Sequence, residues 1–324
     1  VPILTGLPIS TTLLFAGLGT LLFHLVTKGQ VPAFLGSSFA FLGGYAAVAP
    51  LLEDGSPNTE MLPYACGGVF CAGIVYLILS ALIKGFGANK VMRFFPPVVT
   101  GPIIISIGLI LAPTAINNCA TNWPVAIIAL VTVVIFNIWG RGMSKIVPIL
   151  IGIIVSYIAA FIMGDVSFEG ISDEAILGLP PITLMKFDIS AIITIMPLAL
   201  ATMMEHIGDI SAIGATTGKN YIEKPGLHRT LLGDGLATCL AAAFGAPANT
   251  TYGENTGVLA LTKVYDPRIM RIAAVFAIIL SCVPKVAFII ESIPTATIGG
   301  ISFILYGMIS AIGIRNVVEN RVDF

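Results

Sequence analysis

The sequence has 324 residues, of which 56% are hydrophobic and 10% are charged, and its formal net charge is −1. So little charge cannot cover a water-soluble surface, and the lack of a positive excess argues against nucleic acid as a partner. The mean hydropathy is +0.99, and apolar runs of roughly 20 residues, enough to cross about 30 Å of hydrocarbon, recur along the chain. The sequence therefore predicts a multi-pass protein of the lipid bilayer.

Eleven membrane crossings are predicted in chain order, most of them as ordinary helices. They cover residues 8–26, 31–50, 62–84, 97–115, 124–140, 146–163, 189–214, 228–245, 247–263, 268–290 and 295–314. The second and the ninth are short and interrupted by Gly and Pro. If the first crossing ends in the cytoplasm, the cytoplasmic loops contain 14 of the 16 Lys and Arg residues. Cytoplasmic loops concentrate Lys and Arg, so this distribution favours both the count and the orientation.

The residue types available disfavour metal and enzyme chemistry. The five cysteines lie mostly inside apolar runs, where they serve as small hydrophobic residues, and the C-x-x-C spacing typical of zinc sites is not present. No nucleophile–base pair stands out either. We therefore expect neither an enzyme nor a bound metal or other cofactor.

Two pairs of crossings resemble each other at a separation of seven. The second, VPAFLGSSFAFLGGYAAVAP, resembles the ninth, GAPANTTYGENTGVLALTK, and FPPVVTGPIIISIGLILA in the fourth resembles IPTATIGGISFILYGMISA in the eleventh. Because seven is odd, partners would cross the membrane in opposite directions. Interrupted segments at matching places in inverted halves are typical of transporter binding sites, although Gly- and Pro-rich stretches can also match by chance. We expect Phe39 and Tyr252 to lie on short extended stretches that pair antiparallel at mid-membrane.

Four carboxylates remain at membrane depth after the flanking charges are assigned: Glu205, Asp209, Asp234 and Glu254. An ionisable group there costs at least about 2.5–3.5 kcal/mol, so such residues usually face a polar interior and are functional. Glu205 and Asp209 are four residues apart and share one helix face, where two carboxylates cannot both ionise cheaply. One of them is a candidate proton carrier, and a hydrogen bond to a neighbouring helix is the alternative.

Two further polar residues favour a role in the scaffold. His206 lies off the face of the two carboxylates, so helix packing competes with a site role. Asp234 lies near the predicted start of its helix, which favours a structural or gating role over substrate contact.

These residues resemble the nucleobase–ascorbate transporter family, the nucleobase:cation symporters, and in particular its bacterial uracil permeases. The stretch NTTYGENTGVLALTKVY matches the family signature through Glu254, Asn255, Gly257, Thr262 and Lys263. The stretches EHIGD, PGLHRTLLGDGLAT and PAFLGSSFAF fit as well, so the resemblance covers essentially the whole chain.

The resemblance implies an all-α membrane fold of fourteen segments in two inverted sevens, with the two short strands at mid-membrane. A core domain would comprise residues 1–88 and 187–292, and a gate domain residues 89–186 and 293–324. The chain opens on an apolar stretch without Met. It would hold segments two to twelve, with segments 1, 13 and 14 expected to be missing.

The resemblance also implies proton-coupled uptake of uracil or a similar nucleobase across the bacterial cytoplasmic membrane. The residues matching substrate-binding positions are Glu205, Glu254, Phe39, Tyr252, Gly253 and Tyr306, the last in the gate domain. Those expected to take part in proton coupling are Glu205, Asp209 and Glu254. Those expected in gating or structural roles are His206, Asn255 and Asp234.

Alternatives stay open at this point. Asp209 stands where the best-known uracil permease has His and where the xanthine and urate branch has Asp, whereas Glu254 rather than Gln favours the uracil type. A purine permease is therefore the first alternative. A passive channel or an anion carrier of the related fold is the second, opposed by two carboxylates at the site. The oligomeric state is open, with a homodimer as one option.

Overall fold

The computed structural model describes residues 1–52, 56–91, 93, 96–168, 171, 174–319 and 321–322. Helices dominate this part of the chain, and two three-residue strands form its one sheet. The chain divides into two compact units that alternate along the sequence. Unit 1 comprises Val1–Phe95 and Ala175–Ala287, and unit 2 comprises Pro96–Glu174 and Phe288–Phe324.

The described helices are numbered in chain order. The first five are α1 (Pro2–Thr5), α2 (Ile9–Val26), α3 (Leu42–Val48), α4 (Leu62–Phe86) and α5 (Ala88–Val91). The next four are α6 (Pro97–Ala120), α7 (Trp123–Trp139), α8 (Met143–Ile146) and α9 (Pro148–Met163). The last seven are α10 (Ile189–Ile195), α11 (Leu198–Thr217), α12 (Leu227–Ala243), α13 (Glu254–Thr262), α14 (Pro267–Ser281), α15 (Pro284–Glu291) and α16 (Thr295–Glu319).

Every predicted crossing contains a helix or a strand followed by a helix. The helices that are long and apolar enough to cross a membrane number five among the described residues: Ile9–Val26, Leu62–Phe86, Val98–Ala120, Ile189–Thr217 and Thr295–Val318. The remaining crossings are shorter helices, interrupted segments or a bent pair. These lengths and compositions are those of a multi-pass membrane protein.

Two crossings predicted as ordinary helices are interrupted, so the prediction was wrong there. The seventh breaks between α10 and α11, at Met196 and Pro197, although its halves together count as one candidate span. The tenth bends by 89° between α14 and α15, where α15 begins at Pro284. A proline has no N–H and its ring clashes with the preceding turn, so a helix ends readily just before it.

The prediction of two antiparallel extended stretches is confirmed. Strand β1 (Leu35–Ser37) pairs antiparallel with β2 (Asn249–Thr251) inside unit 1, with Gly36 opposite Thr250. The residues singled out beforehand lie just outside the ladder, however. Phe39 begins the 3₁₀ turn that follows β1, and Tyr252 follows the last residue of β2. Each strand therefore leads directly into a helical turn.

Both strands are buried, so their backbone groups need partners inside the protein. The pairing between the strands satisfies some of them, and side chains of neighbouring helices satisfy others. Leu35 N–H donates to Thr20 Oγ1 at 2.9 Å, and Thr238 Oγ1 donates to the Asn249 carbonyl at 2.7 Å. The Asn249 side chain in turn donates from Nδ2 to the Phe15 carbonyl at 2.8 Å. These bonds fix the strands to α2 and α12.

Unit 2 is built on a pair of long helices, α6 and α16. Asn316 Nδ2 donates to Thr100 Oγ1 at 3.1 Å, and Ser310 Oγ donates to the Ile105 carbonyl at 3.1 Å. The residue number rises along one helix as it falls along the other, so the helices run antiparallel. A Cβ atom at Gly108 would lie 2.9 Å from the Ser310 nitrogen, so glycine permits the close approach.

Candidate functional site

The two carboxylates of the seventh crossing lie in one continuous helix. Glu205 and Asp209 are both half-buried on α11, one turn apart, as the spacing predicts. Helix α11 packs against β2, α13 and the 3₁₀ turn that begins at Phe39. The face of α11 that carries the carboxylates therefore belongs to the same part of unit 1 as the two interrupted segments.

His206 and Asp234 form a buried pair that joins α11 to α12. His206 Nδ1 lies 3.2 Å from Asp234 Oδ2, and both side chains are 0% exposed. The imidazole also makes an edge contact with the Phe23 ring of α2, with centroids 6.4 Å apart. Asp234 lies in the middle of α12, two turns from its first residue, rather than near a helix end as the sequence suggested. At this position in the helix the carboxylate is fully buried, with the imidazole of His206 beside it.

Thr251 connects this pair to the carboxylate face. Its Oγ1 lies 3.2 Å from His206 Nδ1 and donates a hydrogen bond to Asp209 Oδ2 at 3.4 Å. Thr251 is the last residue of β2 and is fully buried. One hydroxyl group thus contacts two side chains of α11, and His206 extends the cluster to Asp234 on α12.

The side chain of Tyr252 is placed by β1. Its hydroxyl donates to the Ser37 carbonyl at 3.3 Å and lies 3.3 Å from Ser37 Oγ. A Cβ atom at Gly36 would lie 2.3 Å from Cζ of the ring, so the ring lies against a position that only glycine can occupy. The aromatic ring is therefore held beside the strand pair, half-buried.

The residues after Tyr252 begin α13. A Cβ atom at Gly253 would lie 2.6 Å from Asp209 Oδ1, so the backbone of Gly253 lies close to the carboxylate. The Asn255 N–H donates to the Tyr252 carbonyl at 3.2 Å. Glu254 is the first residue of α13, and its side chain lies outside the described part of the structure. The start of α13, where helix N–H groups lack partners within the helix, therefore faces Asp209.

Tyr306 belongs to unit 2, where it is buried on α16. Its assignment to the substrate stays a prediction from the family resemblance. The same is true of the substrate and proton roles of Glu205, Glu254, Phe39 and Asp209.

Sequence reasoning missed several polar residues that build the site, notably Thr251, Ser37 and Asn249. A signal was present in the Thr pair of NTTYGEN, because residues alternate between the two sides of a strand and one Thr of such a pair must face inward to α11. Another missed contact is the 2.6 Å hydrogen bond from the Tyr76 hydroxyl to Thr202 Oγ1 beneath the carboxylate face. Among the described residues, no group of three or more His, Cys, Asp and Glu side chains could hold a metal ion.

The role of Asn249 in fixing β2 can be tested by Asn249→Ala. Loss of the buried bond to the Phe15 carbonyl should lower the free energy of unfolding by about 1–3 kcal/mol. Thr250→Val is the matched control, because Thr250 Oγ1 is buried without a hydrogen-bond partner. Thermal unfolding of the purified proteins in detergent measures both. Equal midpoints for the two variants would contradict this account of the strand.

These features define a class of protein: a multi-pass membrane protein in which two strand–helix segments meet a helix that carries carboxylates. The Permease family profile matches residues 1–323 of the chain. A probable uracil permease of Haemophilus influenzae is 42% identical over 332 residues, which cover 100% of this chain and 78% of that protein. A uracil permease of Bacillus caldolyticus is 41% identical over 340 residues, covering 100% and 77%. The chain belongs to this family, the nucleobase–ascorbate transporters.

Solved structures show the same fold at low sequence identity. The transmembrane domain of a cyanobacterial bicarbonate transporter, BicA, matches with a TM-score of 0.62 at 15% identity, covering 97% of this chain and 92% of that one. SLC26A9 matches with a TM-score of 0.67 at 13% identity, covering 96% and 54%. At such identities the similarity concerns the fold alone.

Proposed function

We propose that the protein is a proton-coupled symporter that imports uracil across the cytoplasmic membrane of a bacterium. The observation that carries the proposal is the meeting, inside unit 1, of the α11 carboxylates with the junctions that follow β1 and β2. Relatives named uracil permeases, at 41–42% identity over the whole chain, support the choice of substrate. Two ionisable groups half-buried one turn apart support a proton as the coupling ion.

Uracil fits the chemistry of these groups. It is neutral at physiological pH and has two N–H groups, which the carboxylates of Glu205 and Glu254 would accept, and two carbonyl oxygens. Both strands lead into helical turns, whose N-cap residues are Ser38 and Gly253. The first N–H groups of a helical turn lack partners within it and are suited to donate to carbonyl oxygens. The ring faces would be left to Phe39 and Tyr252.

A site of this kind rejects the wrong bases by leaving its own groups unpaired. An analogue that lacks one of the ring N–H or carbonyl groups would bury an unsatisfied carboxylate or backbone amide. Such a mismatch discriminates by up to about 10⁴-fold.

We further propose a core domain of residues 1–88 and 187–292, which falls mostly in unit 1, and a gate domain of residues 89–186 and 293–324, which falls mostly in unit 2. The proposed boundaries differ from those of the units at residues 89–95, 175–186 and 288–292. Support comes from the alternation of the two units along the chain. The antiparallel directions of β1 and β2, and of α6 and α16, support two inverted repeats, because each pair joins crossings seven apart. Nucleobase movement would then follow from motion of one domain relative to the other.

A purine permease is the second candidate, favoured by one observation. Asp209 is the acidic residue typical of the xanthine and urate branch at this position, and it lies against Gly253 and Thr251 in the proposed site. A larger bicyclic base would meet the same carboxylate face. Competition between the two bases separates the candidates.

Uptake of radiolabelled uracil by a bacterial strain that lacks its own uracil permease tests the proposal. Cells expressing the protein should accumulate uracil saturably, and a protonophore should abolish the accumulation. Excess unlabelled uracil should compete strongly and xanthine weakly, with an empty-vector strain as the control. Stronger competition by xanthine would favour the purine permease, and uptake that is unsaturable and indifferent to the protonophore would favour a channel.

Glu254→Gln tests the proposed glutamate on α13. An ionised Glu only accepts hydrogen bonds, whereas Gln presents one donor and one acceptor group. The amide nitrogen cannot accept, so one hydrogen bond from a uracil N–H would be lost. We expect uracil affinity to fall by about tenfold, or the preference to shift toward purines. Titrations of the purified variant with uracil and with xanthine measure both, and Glu223→Gln, at an exposed residue, is the control. Unchanged affinity and selectivity would refute the role of Glu254.

A further inference from the structure

The cluster around Thr251 has an unusual arrangement of donors. His206 Nδ1 lies 3.2 Å from Asp234 Oδ2 and 3.2 Å from Thr251 Oγ1, and all three side chains are buried. A carboxylate beside a ring nitrogen favours the tautomer with the proton on that nitrogen, and Nδ1–H then donates to the Thr251 oxygen. The Thr251 oxygen is then an acceptor toward His206.

This leaves the single hydroxyl proton of Thr251 for a different partner. A threonine hydroxyl has one proton, and that proton is directed to Asp209 Oδ2 at 3.4 Å. The buried pair of His206 and Asp234 thereby sets the direction in which Thr251 donates.

Asp209 contacts both residues that flank Tyr252 in the sequence. Thr251, which precedes the tyrosine, contacts Oδ2, and the backbone of Gly253, which follows it, lies against Oδ1. A hydrogen bond to an ionised carboxylate is about twice as strong as one to a neutral group. A proton arriving at Asp209 would therefore loosen the contact that holds the junction between β2 and α13.

We propose that Thr251 is a positioning residue that couples the charge on Asp209 to the nucleobase-binding junction, and that His206 and Asp234 orient its hydroxyl. The inference rests on the proposed function, since it concerns how proton and uracil affect each other. Coupling of two ligands is reciprocal, so a device that senses the proton must also alter uracil affinity.

The other titratable groups around this cluster belong to each element packed against it. Glu205 lies on α11 itself, Tyr76 on α4 donates to Thr202, and His24 on α2 has Nε2 3.0 Å from the Ala33 carbonyl. Tyr252 is engaged with Ser37 on β1. Thr251 differs from these groups in touching both α11 side chains, Asp209 and His206, which makes it the residue to test.

The experiment is a titration of the purified full-length protein with radiolabelled uracil from about pH 6 to about pH 8, with wild type expected to bind more weakly as pH rises. In Thr251→Val the ratio of the dissociation constant at about pH 8 to that at about pH 6 should fall by about threefold to tenfold. The reason is that the charge-dependent hydrogen bond from residue 251 to Asp209 is lost. Thr251→Ser keeps the hydroxyl and should restore the wild-type ratio. Thr250→Val, an equally buried change in the same strand, should also leave the ratio unchanged.

The possible outcomes separate the inference from the function on which it rests. A wild-type ratio retained in folded Thr251→Val would overturn the inference alone. Wild-type protein that does not bind uracil, or whose uptake ignores a protonophore, would overturn the proposed function and the inference with it. A flattened ratio in Thr250→Val as well would assign the effect to packing of the strand and also overturn the inference.

His206 provides a second test if Thr251→Val does not fold. His206→Asn keeps an N–H donor near the position of Nδ1, whereas His206→Leu removes it. We expect the asparagine variant to keep the pH dependence of uracil binding and the leucine variant to lose most of it. Equal pH dependence in both variants would overturn the proposed role of His206.

Discussion

Replacing Glu205 by Gln is expected to lower proton-driven uracil uptake by at least about 100-fold, because a bond to a charged group contributes about 1.5–3 kcal/mol and the proposed proton carrier is lost with it. Glu205 is half-buried on α11, one turn from Asp209 and on the helix that packs against both interrupted segments. Glutamine can neither take up nor release a proton, and its amide presents a donor where uracil also has donors.

Uptake in the permease-deficient strain measures this effect, normalised to the amount of protein in the membrane. Ser211→Ala is a control on the same helix, since Ser211 is exposed and its hydroxyl donates only to the Ile207 carbonyl of its own helix. Saturable, protonophore-sensitive uptake by Glu205→Gln at the wild-type rate would remove Glu205 from the mechanism. Asp209→Asn makes a useful comparison: if it retains coupling, the carrier is Glu205 or Glu254.

The interrupted segments could be predicted from the sequence because their composition excludes a full helix. Stretches such as PANTTYGEN combine Pro, Gly and hydroxyl residues inside an apolar chain, and extended backbone at membrane depth must find a partner. The second such stretch lies seven crossings away, and β1 and β2 do pair antiparallel. The positions of Phe39 and Tyr252 differed from expectation by a few residues only, which is the usual uncertainty at the ends of an element.

The helix breaks at Pro197 and Pro284 could not be predicted from proline alone. Pro102 and Pro113 lie inside the continuous helix α6, so the same residue type is accommodated in one place and ends a helix in another. Neighbouring helices and side chains decide which outcome occurs, because they satisfy the carbonyl groups that proline leaves free. That information lies in the packing and not in the local sequence.

The pairing of His206 with Asp234 was missed for a related reason. Periodicity identifies the face of a helix on which a residue lies, but not the neighbouring helix that covers this face. His206 lies off the carboxylate face, as predicted, and this off-face position directs it to the middle of α12. A buried polar residue that lies off the polar face of its own helix is thus a signal for a partner elsewhere in the chain.

Removing one member of this pair should have a large effect on stability. Asp234→Ala leaves the buried His206 Nδ1 without its neighbouring carboxylate, and a buried polar group that loses its partner costs about 1–3 kcal/mol. We expect a marked fall in the thermal unfolding midpoint of the purified protein. Glu223→Ala, which removes an exposed carboxylate, should leave the midpoint unchanged.

The double variant His206→Leu with Asp234→Leu distinguishes stability from coupling. Replacing both members of a buried polar pair by apolar residues of similar shape is nearly neutral or stabilising, so the double variant should unfold at a higher temperature than Asp234→Ala. Without the imidazole, however, the Thr251 hydroxyl is no longer directed to Asp209, so the pH dependence of uracil binding should remain weak. A stable double variant that binds uracil with the wild-type pH dependence would show that the pair serves packing only. Recovery of stability without recovery of pH dependence would assign the buried pair to the coupling of proton and substrate.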